Sequence, residues 1–150
     1  MFSKILCGLD GSEHALRAAR AACELARRFD APLTFLTVTK ELRQSGEIRR
    51  FLQLEQLAGE PQYVLDEVTE EILAAARRLA RDSGLSRVQT EVRTGHPARV
   101  LVDFAARKNY DCIVLGSRGL GDIGGLLLGS VSHKVATLAK CTVVTVKGDA

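Results

Sequence analysis

The sequence predicts an α/β fold: one doubly wound domain over residues 1–150, a five-stranded parallel sheet with helices on both faces. Two observations carry that expectation. Five short stretches rich in Ile, Leu, Val and Thr alternate with segments whose apolar residues recur every three or four positions. Glycines, which fold at an entropic cost and so collect where a backbone must turn or be approached closely, crowd behind the fourth stretch at positions 116, 119, 121, 124, 125 and 129.

Residues 4–9 form a continuous apolar run, the kind buried on both faces of a parallel sheet. Asp10, Gly11, Ser12 and Glu13 follow as a turn with helix-start chemistry: Ser12 is a good N-cap and Glu13 puts a negative charge in the first turn. A helix to about Arg28 should bury Ala15, Leu16, Ala19, Ala22, Cys23, Leu25 and Ala26 before Asp30 and Pro32 break it. Leu33–Thr39 is the second strand. Residues 40–61 read as a long loop or insertion, with a broken helical period at Ile48, Phe51, Leu52 and Leu54; such a loop beside a site is often a lid and can equally be a disordered insertion.

Residues 63–83 form an amphipathic helix with the stripe Val64, Leu65, Val68, Ile72, Leu73, Ala76, Leu79 and Ala80, stopped by Gly84. Val88–Thr94 alternates and suits a strand near a sheet edge. Gly95 and His96 turn into a helix with Pro97 at its first position, which runs to about Lys108 and buries Val100, Leu101, Phe104 and Ala105. Cys112–Gly116 is the fourth strand. Ser130, Val131 and Ser132 read as a helix start with Ser130 at the N-cap, and Val131, Val135 and Leu138 as that helix's inward face. Thr142–Val146 is the last strand. With right-handed crossovers the expected strand order is 3-2-1-4-5, which puts the switch point, where such folds bind ligands, between strands one and four.

Composition narrows the function. At 46% hydrophobic and 26% charged the chain is ordinary for a soluble globular protein, and a net charge of +3 gives no argument for a nucleic-acid or membrane-surface partner. No apolar run approaches the roughly 20 residues of a bilayer span, and the N-terminus passes straight into a strand pattern, so no signal peptide is expected. Cys7, Cys23, Cys112 and Cys141 lack metal-like spacing, so buried free thiols in a reducing cytoplasm are expected, with no metal site.

A strand, a glycine-rich loop and a helix N-terminus together make an anion site, because free N–H groups and the positive end of the helix dipole converge there. The loop lacks the P-loop pattern. Residues 119–124 match G-x-G-x-x-G, but the loop is far longer than a dinucleotide-fold turn, and no ribose-binding acid follows about 20 residues on. A receiver domain would need an acceptor acid after the third strand, where Thr94 and Gly95 stand.

The informative spacing is Gly116, two residues, Gly119, nine residues, then Gly129 and Ser130. It resembles the G-2x-G-9x-G-[S/T] signature of the ATP-binding branch of the universal stress protein family, an adenine nucleotide alpha hydrolase-like fold. Residues 4–12 resemble that family's first strand with its Asp and Ser, residues 95–97 its G-x-P turn, and residues 141–143 its terminal C-P-V, with Thr142 in place of the proline. The resemblance implies a regulatory protein of the stress response that binds ATP, with or without Mg²⁺, and has no catalytic residues of its own. It places Asp10 beside the nucleoside, the Val38 backbone at adenine, and Gly116 and Gly119 beside ribose and the first phosphates. Gly129, Ser130, Val131 and Ser132 would cradle the phosphates through N–H and hydroxyl groups, with Arg118 able to steer them. It also implies a homodimer through the last strand; Thr142 and Thr145, where the family is usually proline and apolar, put the details of that interface in doubt.

Other readings remain open on the residues alone. Asp10 and Ser12 could simply start a helix, Ser130 could be only an N-cap, and Arg118, His133 and Lys134 could be solvated. His96 reads as a turn residue. An ATPase or phosphotransferase is the competing function; it would draw on Asp10, Asp122 and Lys134, for which no recognisable assembly is visible.

Overall fold

The computed structural model describes residues 1–39, 61–119 and 129–148, and of residues 61–65 the backbone. The elements follow in the expected order: β1 (Ile5–Leu9), α1 (Glu13–Phe29), β2 (Leu33–Thr39), α2 (Pro61–Asp82), β3 (Val88–Thr94), α3 (Pro97–Arg107), β4 (Cys112–Gly116), α4 (Ser130–Leu138) and β5 (Thr142–Val146). The sheet is five-stranded and parallel in the order β3-β2-β1-β4-β5. The broken helical period at residues 48–54 lies outside the described residues, and Pro61 opens α2 rather than closing the loop before it.

β1 is buried over its whole length because it lies at the centre and both faces are covered. One face carries Ile5, Cys7, Leu9, Leu33 and Phe35 against α1 and α2; the other carries Leu6, Leu36, Ile113 and Leu115 against α3 and α4. The alternation of Phe35 and Leu36 is the two-residue period of a strand buried on both sides. The split of helices follows from handedness. Two crossovers lead outward from β1 to β3 on one face, and the next two return past β1 to β5 on the other.

The helix ends obey local chemistry. The Ser12 hydroxyl accepts from the Ala15 N–H at 3.1 Å and caps α1. Gly84, at φ 80°, ends α2: its N–H donates to the Arg81 carbonyl and the Leu85 N–H to the Ala80 carbonyl, at 3.0 and 3.1 Å. This is the Schellman pattern, and it requires a left-handed residue at that place.

All four helix faces depart from the expected stripes. α1 meets the sheet through Ala15, Ala18, Ala19, Ala22, Cys23 and Ala26, while Leu16 is exposed, because a seam of small residues lets the helix settle close to the strands. On α2 the expected Val68 is exposed and Thr69 is buried beside Leu73, Ala76 and Ala80. On α3, Ala98 joins the buried set and Val100 packs only at its margin. On α4 the expected Leu138 is exposed, and Val135 with Ser132 forms the buried face.

The N-terminal ends of β1 and β4 are tied together. The Asp111 carboxylate accepts from the Ser3 N–H and hydroxyl at 2.9 and 2.8 Å and from the Lys4 N–H at 3.1 Å. Next to it, the buried Tyr110 hydroxyl donates to Thr34 Oγ1 at 2.7 Å. All four cysteines are free, with Cys7, Cys23 and Cys112 buried. Burial pushes the Cys7 thiol far up and the Cys112 thiol up to about 12, which leaves them without the thiolate that reactive cysteines need.

Candidate functional site

The carboxyl ends of β1 and β4 part company at the switch point, and a cleft of about 1040 Å³ opens there. Its walls include Asp10 from the end of β1, Val38 from β2, Gly116, Arg118 and Gly119 from the end of β4, and Ser130, Val131 and Ser132 from the first turn of α4. Eight of the nine residues expected from the sequence therefore line one cavity; the ninth, Gly129, is buried behind its wall. His96 and Arg99 at the start of α3, with His133 and Lys134 on α4, add basic groups to the rim.

Asp10 is held by a turn of its own: Oδ1 accepts from the Ser12 N–H at 2.9 Å. That bond fixes the carboxylate at the mouth of the cleft and links it to the cap of α1. The helix-start reading of the Asp10 and Ser12 pair describes this loop.

α4 begins one residue earlier in its chemistry than expected. Gly129, not Ser130, is the N-cap, with φ −72° and ψ 167°. Ser130 is the first helical residue and is exposed, so its hydroxyl stands free of capping duty at the cleft wall. The N–H groups of Ser130, Val131 and Ser132 lie in the first turn, where an α-helix supplies no acceptor, and the dipole adds positive potential. The Gly129 N–H is occupied: it donates to the Ser117 carbonyl at 2.6 Å. The Ser132 side chain is buried and turns back into the protein, its hydroxyl donating to the carbonyls of Ser117 and Gly129 at 2.8 and 3.1 Å.

Two residues that the sequence did not single out organise this arrangement. Ser117 is buried between Gly116 and Arg118; its N–H donates to the Val146 carbonyl at 2.8 Å, and its carbonyl receives both α4 donors. In the sequence it is only a variable position within the glycine spacing. His14, in the first turn of α1, brings Nδ1 within 3.4 Å of Ser117 Oγ. It also packs on Gly116: a Cβ there would lie 2.7 Å from the His14 carbonyl carbon and Cβ. Nothing local to His14 signals this contact.

The donor set suits an anion with an attached flat apolar group. Main-chain N–H groups, a serine hydroxyl and basic side chains cluster at the α4 end, while Leu36, Val38, Leu101 and Leu115 line apolar walls. Among the described residues, no group of three His, Cys, Asp or Glu side chains is arranged to hold a metal ion. No helix among them is long and apolar enough to cross a membrane.

Comparison with known proteins gives a consistent result. Residues 1–147 match the family model of the universal stress protein family. The chain is 33% identical to universal stress protein YxiE of Bacillus subtilis (strain 168) over 154 aligned residues, which cover 98% of this chain and 100% of that one. Among solved structures it is similar to a universal stress protein in complex with cAMP, with 27% identity, a TM-score of 0.74 and 97% of each chain covered. It is also similar to the hypothetical protein MJ0577, with 25% identity, a TM-score of 0.80, and 99% and 98% of the two chains covered.

Proposed function

The chain belongs to the universal stress protein family, and from that premise we propose that it is a regulatory protein whose switch-point cleft binds ATP. The observation that carries this reading is the gathering of Asp10, Val38, Gly116, Arg118, Gly119 and the first turn of α4 around one cavity. A relative 27% identical to this chain was solved with cAMP, which supports an adenine nucleotide as the ligand class.

In this reading the adenine lies against the Val38 backbone, Asp10 holds the nucleoside, and Gly116 and Gly119 let the chain pass close to the ribose and first phosphate. The phosphates meet the N–H groups of Ser130, Val131 and Ser132 and the Ser130 hydroxyl, with Arg118 supplying charge. Gly129 contributes the absence of a side chain rather than a donor, since its N–H is committed to Ser117. Mg²⁺ is compatible with such a phosphate group but has no protein ligand cluster among the described residues. Binding regulates the protein only to the extent that ATP prefers one of two states. We further assign the protein to the cytoplasm, supported by its four free cysteines. A homodimer through β5, which among the described residues has a strand on one side only, completes the reading.

Gly129→Val tests the site. Any residue can adopt the Gly129 φ, so the substitution introduces no backbone strain, and it sets a branched side chain at the start of the proposed phosphate cradle. Calorimetric titration should detect ATP binding to the wild-type chain and none to the variant, with unchanged far-UV circular dichroism. Wild-type ATP affinity in the variant would refute the phosphate assignment.

A further inference from the structure

Serine hydroxyls at the start of a helix facing an anion site are ordinarily counted as ligand donors. Ser132 is placed otherwise. Its side chain is buried, and its hydroxyl donates to the Ser117 carbonyl at 2.8 Å and the Gly129 carbonyl at 3.1 Å. A serine hydroxyl has one proton, so with that proton shared between two carbonyls it has none for a phosphate, which can only accept. The Ser117 carbonyl at the same time takes the Gly129 N–H at 2.6 Å, and the Ser117 N–H is fixed to the Val146 carbonyl at the end of β5. Ser117 thus joins the end of β4, the end of β5 and the first turn of α4 through the main chain of one residue.

We propose that Ser132 is a positioning residue for the phosphate cradle: its hydroxyl latches the first turn of α4 to the Ser117 carbonyl and so sets the aim of the Ser130 and Val131 N–H groups. This deepens the ATP-binding reading and rests on it for its ligand. The physical argument is preorganisation. N–H groups held in place before the ligand arrives stabilise an anion without the cost of ordering them on binding. The N-cap geometry at Gly129 cannot supply that restraint alone, because Gly129 makes no side-chain cap bond. Ser132 replaces the missing cap with a bond three residues further on, directed to a different strand end.

The latch makes a prediction that separates it from a ligand donor and from plain packing. Ser132→Ala removes the hydroxyl and leaves every cleft-facing donor in place. It should weaken ATP binding about tenfold, the scale of one hydrogen bond's contribution, while adenosine binding stays unchanged. Without nucleotide, the same variant should raise the amide hydrogen-exchange rate of Gly129 by about tenfold as well, because that N–H shares the Ser117 carbonyl. Ser132→Thr, which retains the hydroxyl, should restore both values. Equal losses for ATP and adenosine would make Ser132 a packing residue and overturn the proposal. So would unchanged Gly129 exchange in the alanine variant, or a threonine variant as weak as alanine. If the wild-type chain bound neither ATP nor adenosine, the nucleotide reading would fall, and the exchange measurement would still decide the latch.

Discussion

At Gly116 the decisive property is the lack of a Cβ. The atoms that a Cβ would meet belong to the His14 main chain as well as its side chain, with the carbonyl carbon at 2.7 Å and the oxygen at 2.8 Å. Main-chain atoms in the first turn of a capped helix cannot swing aside as a side-chain tip can. The spacing motif therefore has a packing reason at this position, independent of any ligand: β4 and α1 touch there. Gly116→Ala should destabilise the protein by about 1–3 kcal/mol, the range for overpacking a close contact, read as an earlier midpoint in urea. An unshifted midpoint would mean that α1 yields freely. Gly129→Val, by contrast, should leave the fold in place and remove ATP binding, so the two glycines of one motif separate into a packing role and a ligand-approach role.

Among the elements, the junction of β1 with β4 depends on Asp111. Desolvation raises its carboxyl pKa, but the Ser3 N–H and hydroxyl and the Lys4 N–H together outweigh it and hold the group below the usual aspartate value. A folded pKa below the unfolded one means that the unfolded chain takes up the proton first as pH falls. The stabilisation is therefore complete above the unfolded pKa and is lost as pH drops through the folded one. Asp111→Asn should cost about 1 kcal/mol at neutral pH, a modest figure because the site is largely open to water. The gap between variant and wild type should narrow as pH falls below the ordinary aspartate range; a gap that stayed constant with falling pH would mean that the charge is not what ties the strands. The elements themselves were legible in the sequence because their signals are local: β1 is an unbroken apolar run, and Gly84 ends α2 where a left-handed residue is required. Helix faces were less legible. Leu16, Val68 and Leu138 fit the helical period yet lie exposed, and Thr69 and Ser132 break it yet lie buried. Periodicity marks a stripe, whereas burial depends on where the helix crosses the sheet. The site divides in the same way. Glycine spacing and strand ends pointed to the residues that line the cleft, while Ser117 and His14 depend on the approach of α1 to β4, which no local pattern encodes.

For the whole molecule the open question is what becomes of β5. The sheet ends there: β5 pairs with β4 on one side and, among the described residues, with no strand on the other. Its residues Val143 to Val146 are only half-buried, and the strand carries neither a charge nor a proline to deter pairing. Such an edge exposes a row of main-chain donors and acceptors and favours association with another strand. The other edge, β3, is protected in the usual way, by Glu91 and Arg93 paired at 2.7 Å. The asymmetry supports β5 as the dimer edge, through which two copies related by a two-fold axis would join their sheets. Thr145→Lys sets a charge in that edge without touching the cleft, since Thr145 is absent from its lining. Sedimentation velocity should find the wild-type chain as a dimer and the variant as a monomer of unchanged circular dichroism. Because Ser117 binds the Val146 carbonyl and also holds the start of α4, the monomer should bind ATP more weakly than the dimer, and ATP should in turn favour the dimer by the same factor. A wild-type chain that sediments as a monomer at every concentration would remove β5 from the assembly reading and leave the cleft assignment standing on its own.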